Sequence, residues 1–382
     1  LFEADCGDGH LDPGEFCPEP GRDLRGAQLF SRAWAGDLDG DGDADLAYVS
    51  ADGLLTVQRN GGRGAFAQDP IVPLRGLAGD VTAGDLDGDG DLDLAVALVT
   101  AEAVQVVWQT PEGWRADAPV ALGGQPFSVD AGDVDGDGRD DLMLANFSRG
   151  GASVLLGRGD GALDGPYFFP TGVEPHGAVL ADADADGRLD IVAANAGTHD
   201  AGDDDVTVSW GDGAGGFSRP DALRVGNGPF FVDVGDLDGD GWPDVVAGNY
   251  GTPIGAGAAY AGGDTISVLR GLGERRFAPS FEVAAGDGPN QVRVLDVNAD
   301  GRPDVLTADR GDFDFAQRTA TGGGTLTVLF GDGALGFPRV RQLHLGAPLT
   351  GLAAADFDGD GATDLVAVVH EGRRIVVFRQ AP

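Results

Sequence analysis

The chain contains no lysine: all 25 basic residues are arginine, set against 63 Asp and Glu. The resulting formal charge of −38 excludes partners that are themselves polyanions, because nucleic acid and anionic membranes repel such a chain. Histidine is scarce, with five residues. No Gly-x-Ser-x-Gly elbow, His-Glu-x-x-His pair or phosphate loop occurs. No apolar run approaches the roughly 18–20 residues of a membrane-spanning helix. There are one Met and two Cys. The chain begins Leu1-Phe2-Glu3, which suits a processed product and fits export with a signal already removed.

Such a charge ordinarily means disorder or an acidic tail, but here the acid is concentrated in seven copies of Asp-x-Asp-x-Asp-Gly-x-x-Asp. They begin at Asp37, Asp85, Asp133, Asp182, Asp236, Asp296 and Asp356, with successive starts 48, 48, 49, 54, 60 and 60 residues apart. That period holds one four-stranded blade. We therefore expect an all-β fold: a seven-bladed β-propeller of four-stranded antiparallel blades, with Ca²⁺ loops between strands A and B. The 66 glycines suit the many tight turns this requires.

Each copy places hard oxygen donors at positions 1, 3, 5 and 9: Asp37, Asp39, Asp41 and Asp45; Asp85, Asp87, Asp89 and Asp93; Asp133, Asp135, Asp137 and Asp141; Asp182, Asp184, Asp186 and Asp190; Asp236, Asp238, Asp240 and Asp244; Asp296, Asn298, Asp300 and Asp304; Asp356, Asp358, Asp360 and Asp364. Glycine at position 6 permits the sharp turn, and position 7 can add its carbonyl, so the pattern suits Ca²⁺ over zinc or copper. About seven structural Ca²⁺ ions are expected. Asn298 keeps an oxygen but loses a charge, which marks the sixth site as the weakest. Position 12 holds Tyr48, Val96, Leu144, Ala193, Ala247, Thr307 and Ala367 instead of Glu, which excludes an EF-hand.

The fifth copy shows the strand order: Phe230 to Gly235 as strand A, Val245 onward as B, Thr265 to Leu269 as C, and Phe277 opening D. Phe66, Trp114, Leu163, Phe217, Phe277 and Phe337 each lie 19 residues before the next loop, so variation in repeat length falls between strands B and C. The resulting inserts, 198–204, 252–263 and 312–323, belong to blades four to six and should form one raised sector. In an up-and-down blade the B–C and D–A connections share the face opposite the A–B loops. The last repeat lacks a strand D, and residues 16–24 are the expected donor. Residues 1–23 are thus a disulfide loop plus ring-closing strand, and 24–382 the propeller.

Cys6 and Cys17 flank Gly and Pro turns and read as a disulfide over the alternative of two unrelated thiols. On the face opposite the loops we expect His176, His199, Phe230, Tyr250, Tyr260, Asn290, Arg310, Asp312 and Arg318 to line a rim. Aromatics beside amides, carboxylates and arginine suit a sugar or a protein loop. Asn146, Asn195, Asn249 and Asp309 share one position at the end of strand B and read as caps of the B–C turn.

The acidic loops, a Pro seven residues ahead of several of them (Pro126, Pro175, Pro229, Pro289) and Trp210-Gly-Asp-Gly-Ala-Gly-Gly-Phe217 resemble the FG-GAP/VCBS repeats of bacterial surface proteins and integrin α-subunit propellers. The Cys6–Cys17 segment resembles pieces of myxobacterial surface proteins. The resemblance implies calcium loops on the face away from the ligand, and a secreted or cell-surface module that binds an extracellular protein or glycan. The alternatives are a polysaccharide-acting enzyme of the lyase kind, using His176, His199 and Arg310, or a subunit of an extracellular assembly. No catalytic motif supports the enzyme reading.

Overall fold

The structure is a computed structural model that describes residues 16–18, 32–50, 52–197, 204–254, 259–314, 319–370 and 374–380. Seven antiparallel sheets follow one another along the chain, and apart from the 3₁₀ turn Phe147–Arg149 the described residues contain no helix. Blade three is representative: Pro126–Gly132, Asp141–Asn146, Gly151–Gly157 and Leu163–Pro170 pair in chain order as strands A to D. Strands B and C are buried along nearly their whole length, whereas strand D is largely exposed. This gradient follows from radial sheets, whose middle strands are covered on both faces by neighbouring blades.

The core is correspondingly divided into seven clusters, each shared by two adjacent blades. One joins Leu38, Val57 and Leu94 of blades one and two; another joins Tyr48, Phe357 and Val366 of blades one and seven. The second cluster closes the ring through apolar contact. In the last blade, Leu349–Ala355, Asp364–Val369 and Arg374–Gln380 are followed outward by Phe16–Pro18, with Phe16 opposite Gln380. Cys17 belongs to that strand, while Cys6 and the rest of the expected disulfide loop lie outside the described residues.

Phe277 does not open strand D. It forms a single bridge with Gly271, as Phe217 does with Gly211, and strand D begins only at Phe281. Both rings are instead held in the C–D turn by the preceding blade: Phe277 stacks 6.4 Å from Trp210 and Phe217 lies 5.0 Å from Phe169. At Phe217 and Phe277 the constant spacing therefore reports inter-blade packing, whereas Phe66 and Leu163 do open strand D.

Strand A is the innermost edge of each sheet, so its outward N–H groups have no strand to pair with. Side chains of the preceding blade satisfy them. Asp80 accepts from Val129 N (3.2 Å), Asp130 from Leu180 N (2.9 Å) and Asp233 from Val294 N (2.8 Å). Ser128 Oγ accepts from Ala178 N and Gln291 Oε1 from Leu352 N. The second oxygen of each Asp accepts from the next residue's own N–H. Enclosure between blades pushes the Asp80 and Asp130 carboxyls up to about 6.

Candidate functional site

The loops after strand A are built around their first Asp. In loop one Asp37 Oδ1 accepts from Gly40 N at 2.8 Å and Oδ2 from Gly42 N at 2.9 Å. The same pair of bonds recurs at Asp85, Asp133, Asp236 and Asp356. Both turn residues have left-handed backbones, with φ of 75° at Gly40 and 93° at Gly42. Loops four and six carry Ala185 and Ala299 at the first of these positions, still at φ 58° and 56°.

The ninth residue has a second role that its spacing alone does not reveal. Asp141 is fully buried; its Oδ2 accepts from Val134 N in its own loop and its Oδ1 from Gly157 N at the end of strand C. Asp45, Asp190, Asp244, Asp304 and Asp364 make the same two bonds. Burial pushes Asp141, Asp190, Asp244 and Asp304 up to about 6, and Asp93 and Asp364 to about 7. Each loop thus presents one buried carboxylate in need of a counter-charge beside half-buried and exposed oxygen donors.

Carboxylate oxygens within 4.8 Å of one another gather at Asp37, Asp39 and Asp41, at Asp85, Asp87 and Asp89, at Asp133, Asp135 and Asp141, at Asp182, Asp184 and Asp190, at Asp236, Asp238 and Asp244, and at one further place. This all-oxygen donor set fits a hard divalent cation such as Ca²⁺. In loop six Asn298 donates its amide to Asp300 at 3.3 Å. Arginines already approach several donors: Arg270 reaches Asp238 (2.7 Å) and Asp240 (2.8 Å), Arg275 of blade five reaches Asp184 (2.7 Å) of blade four, and Arg59 reaches Asp45 (3.2 Å).

The opposite face departs from expectation. His176, Phe230, Tyr250, Asn290 and Arg310 are brought together, but they are buried, with Tyr250 1% and Arg310 2% exposed. A register shift between Pro175 and Gly177, and its counterparts in blades two, three, five, six and seven, inserts one extra residue near the start of strand A. Those inserted residues include Phe127, His176, Phe230 and Asn290. They meet one another and residues at the far end of strand B: Phe127 lies 5.2 Å from Phe147, His176 stacks on Phe230 at 3.8 Å, and Phe230 lies 4.4 Å from Tyr250. Tyr250 donates to the Gly311 carbonyl, and Asn290 donates to that of Thr350. The expected rim is therefore an interior layer across the axis of the ring, because each bulge turns its residue toward its neighbours.

Of the other expected rim residues, Asp312 begins the short strand Asp312–Asp314 and is half-buried, and Tyr260 lies in the strand Ala259–Leu269 opposite Pro253 and Phe313. His199 and Arg318 lie outside the described residues. The inserts of blades five and six join into one sheet. Strands Asp244–Ile254 and Ala259–Leu269 run beyond the blade, and the latter pairs with Asp312–Asp314, which pairs with Thr319–Thr321. The Asn146, Asn195, Asn249 and Asp309 side chains are not turn caps but buried bonds to strand C. Asn249, for example, donates to Thr265 Oγ1 (2.9 Å) and Ser267 Oγ (3.1 Å). Gly124, Gly172, Gly226 and Gly286 pack over them so closely that a Cβ would lie 1.8–2.4 Å from the amide or carboxyl.

A profile of the FG-GAP-like repeat matches residues 37–96 and 133–193. Together, the matched segments and the seven blades support an FG-GAP-repeat propeller. A search of curated protein sequences finds no match. Among solved structures, the propeller is similar to BBS1N crystallised in complex with ARL6DN, at 14% identity and TM-score 0.63, covering 97% of this chain and 96% of that one. It is also similar to a functionally unknown protein from Desulfotomaculum acetoxidans (12% identity, TM-score 0.55, covering 83% and 90%). A third similar structure is a putative 6-phosphogluconolactonase from Bacteroides uniformis (11% identity, TM-score 0.55, covering 91% of each chain). At these identities the likeness is one of fold alone.

Proposed function

We propose that this FG-GAP-repeat propeller is a calcium-stabilised binding module, secreted or displayed at the cell surface, that recognises an extracellular protein or glycan on the face opposite its acidic loops. The observation that carries this reading is the shared insert sheet of blades five and six, which extends past the blades on that face and ends in the strand Thr319–Thr321. Loops cheaply accept insertions, but two neighbouring insertions that pair with each other form a platform. Sheet edges of this kind accept a partner's strand or loop. BBS1N, similar in fold, is itself recorded in complex with another protein.

The loops serve as scaffold in this reading. Ca²⁺ would be held by the Asp residues at positions 1, 3, 5 and 9, with Asn298 at position 3 of loop six, supplying the counter-charge that the buried ninth carboxylate needs. The residues themselves fix the turn, through the first Asp, and tie the loop to strand C, through the ninth. The lyase alternative loses support because His176 is 8% exposed and stacked on Phe230.

The test replaces residues 252–263 and 312–323 by the short B–C connections of blades one and two, then screens wild type and variant against surface-protein and glycan arrays in calcium. Loss of binding with an unchanged melting temperature supports the proposal; identical binding profiles refute it.

A further inference from the structure

The axis of the ring holds charges that neither the loops nor the insert sheet uses. Arg32, at the start of blade one, is 8% exposed. It reaches across the ring to blade five, where its guanidinium carbon sits 4.3 Å above the Phe231 ring centroid. Its Nε makes no hydrogen bond, and no carboxylate among the described residues lies within ion-pair distance. In a chain of −38 charge with 25 arginines, a buried guanidinium without such a carboxylate is unexpected, since burying an uncompensated charge is costly.

Its charged surroundings are mixed. Arg310, 2% exposed, and Arg293 both lie near enough to repel it, and Asp80 near enough to attract it. Asp80, however, has both oxygens committed, to Val81 N and Val129 N. Arg310 in turn repels His370, which burial and that repulsion hold neutral with a pKa lowered to about 4. Arg293 is solvent-exposed, so water reaches the axis two positions closer to the acidic loops than Arg32's counterpart in that blade, Gln291. The Phe127–Tyr250 layer lies on the other side.

We propose that the axis of the propeller binds a small oxyanion between Arg32 and Arg310, entering from the side of Arg293. With its carbon over the Phe231 ring and its Nε unbonded, the guanidinium can donate in parallel to two oxygens of a sulfate or carboxylate. The anion would supply the counter-charge that Asp80, tied to the backbone, does not. Free sulfate and a carboxylate borne by a partner share this chemistry.

The experiment uses the full chain with saturating calcium chloride and titrates sodium sulfate against sodium chloride at matched ionic strength, following heat and melting temperature. A saturable sulfate-specific rise is expected, with affinity reduced at least tenfold in Arg32→Gln and unchanged in Arg219→Gln, an exposed control. Arg310→Gln reads the same site if Arg32→Gln does not fold. Competition of sulfate by a peptide with a free C-terminal carboxylate would identify a partner-borne anion; its absence would leave a free ion. Superimposable sulfate and chloride curves, or a sulfate response that survives both substitutions, would overturn the proposal.

Discussion

Asp309 occupies a position that blades three to five fill with asparagine, and its environment was built for an amide. Asn249 shows the arrangement: its Nδ2 donates to the Thr265 and Ser267 hydroxyls, and its Oδ1 accepts from Ser267 at 3.2 Å. Asp309 must instead accept from Thr307 Oγ1 and Thr327 Oγ1, both at 2.6 Å, with Gly286 pressed against it and no basic side chain among the described residues paired with it. Burial pushes its pKa up to about 7 from an ordinary 3.8. The folded protein therefore holds this proton more tightly than the unfolded chain. The stability it contributes is full below the unfolded pKa and is lost as pH rises through the folded value. A shift of this size corresponds to about 2–4 kcal/mol of destabilisation above pH 7 relative to pH 4. Asp309→Asn removes the titration and restores the amide-to-hydroxyl bonds. The variant should melt above wild type at pH 8, by about 2–5 °C for a chain of this size, with the difference shrinking toward zero as pH falls to about 4. Calorimetric melts of both proteins at fixed calcium, compared pH by pH, cancel the titration of the loops. A variant that melts below wild type at pH 8, or a difference that does not change with pH, would refute the reasoning.

Chelation with EDTA should lower the melting temperature and added Ca²⁺ restore it, because each site filled at about 100 times its dissociation constant stabilises by roughly 2.7 kcal/mol; an unchanged melt excludes a structural metal. Arg270 pairs with Asp238 and Asp240 and would compete with a cation held there, so Arg270→Gln should tighten calcium binding at one site, seen by titration calorimetry. Ala185→Gly and Ala299→Gly relieve left-handed backbones and should each raise stability by about 0.5–1 kcal/mol in urea unfolding. Asp130→Ala leaves Leu180 N without its inter-blade acceptor and should cost about 1–3 kcal/mol in the same measurement.

The sequence by itself determined the number of blades, the position and chemistry of the loops, and the segments in which the inserts fall. These features are local or periodic: a loop's donors lie within nine residues, and a repeat announces itself by its spacing. A charged residue inside an apolar strand A, as at Asp130 and Asp233, was also visible, but its partner belongs to another blade. Only the tertiary structure decided what the strand A bulges do. One extra residue in each of several strands turns His176, Phe230 and Asn290 away from the rim and into a layer where blades converge. The same convergence brings Arg32 over Phe231, 199 positions along the chain, an encounter that no local pattern encodes because it depends on how the blades close into a ring.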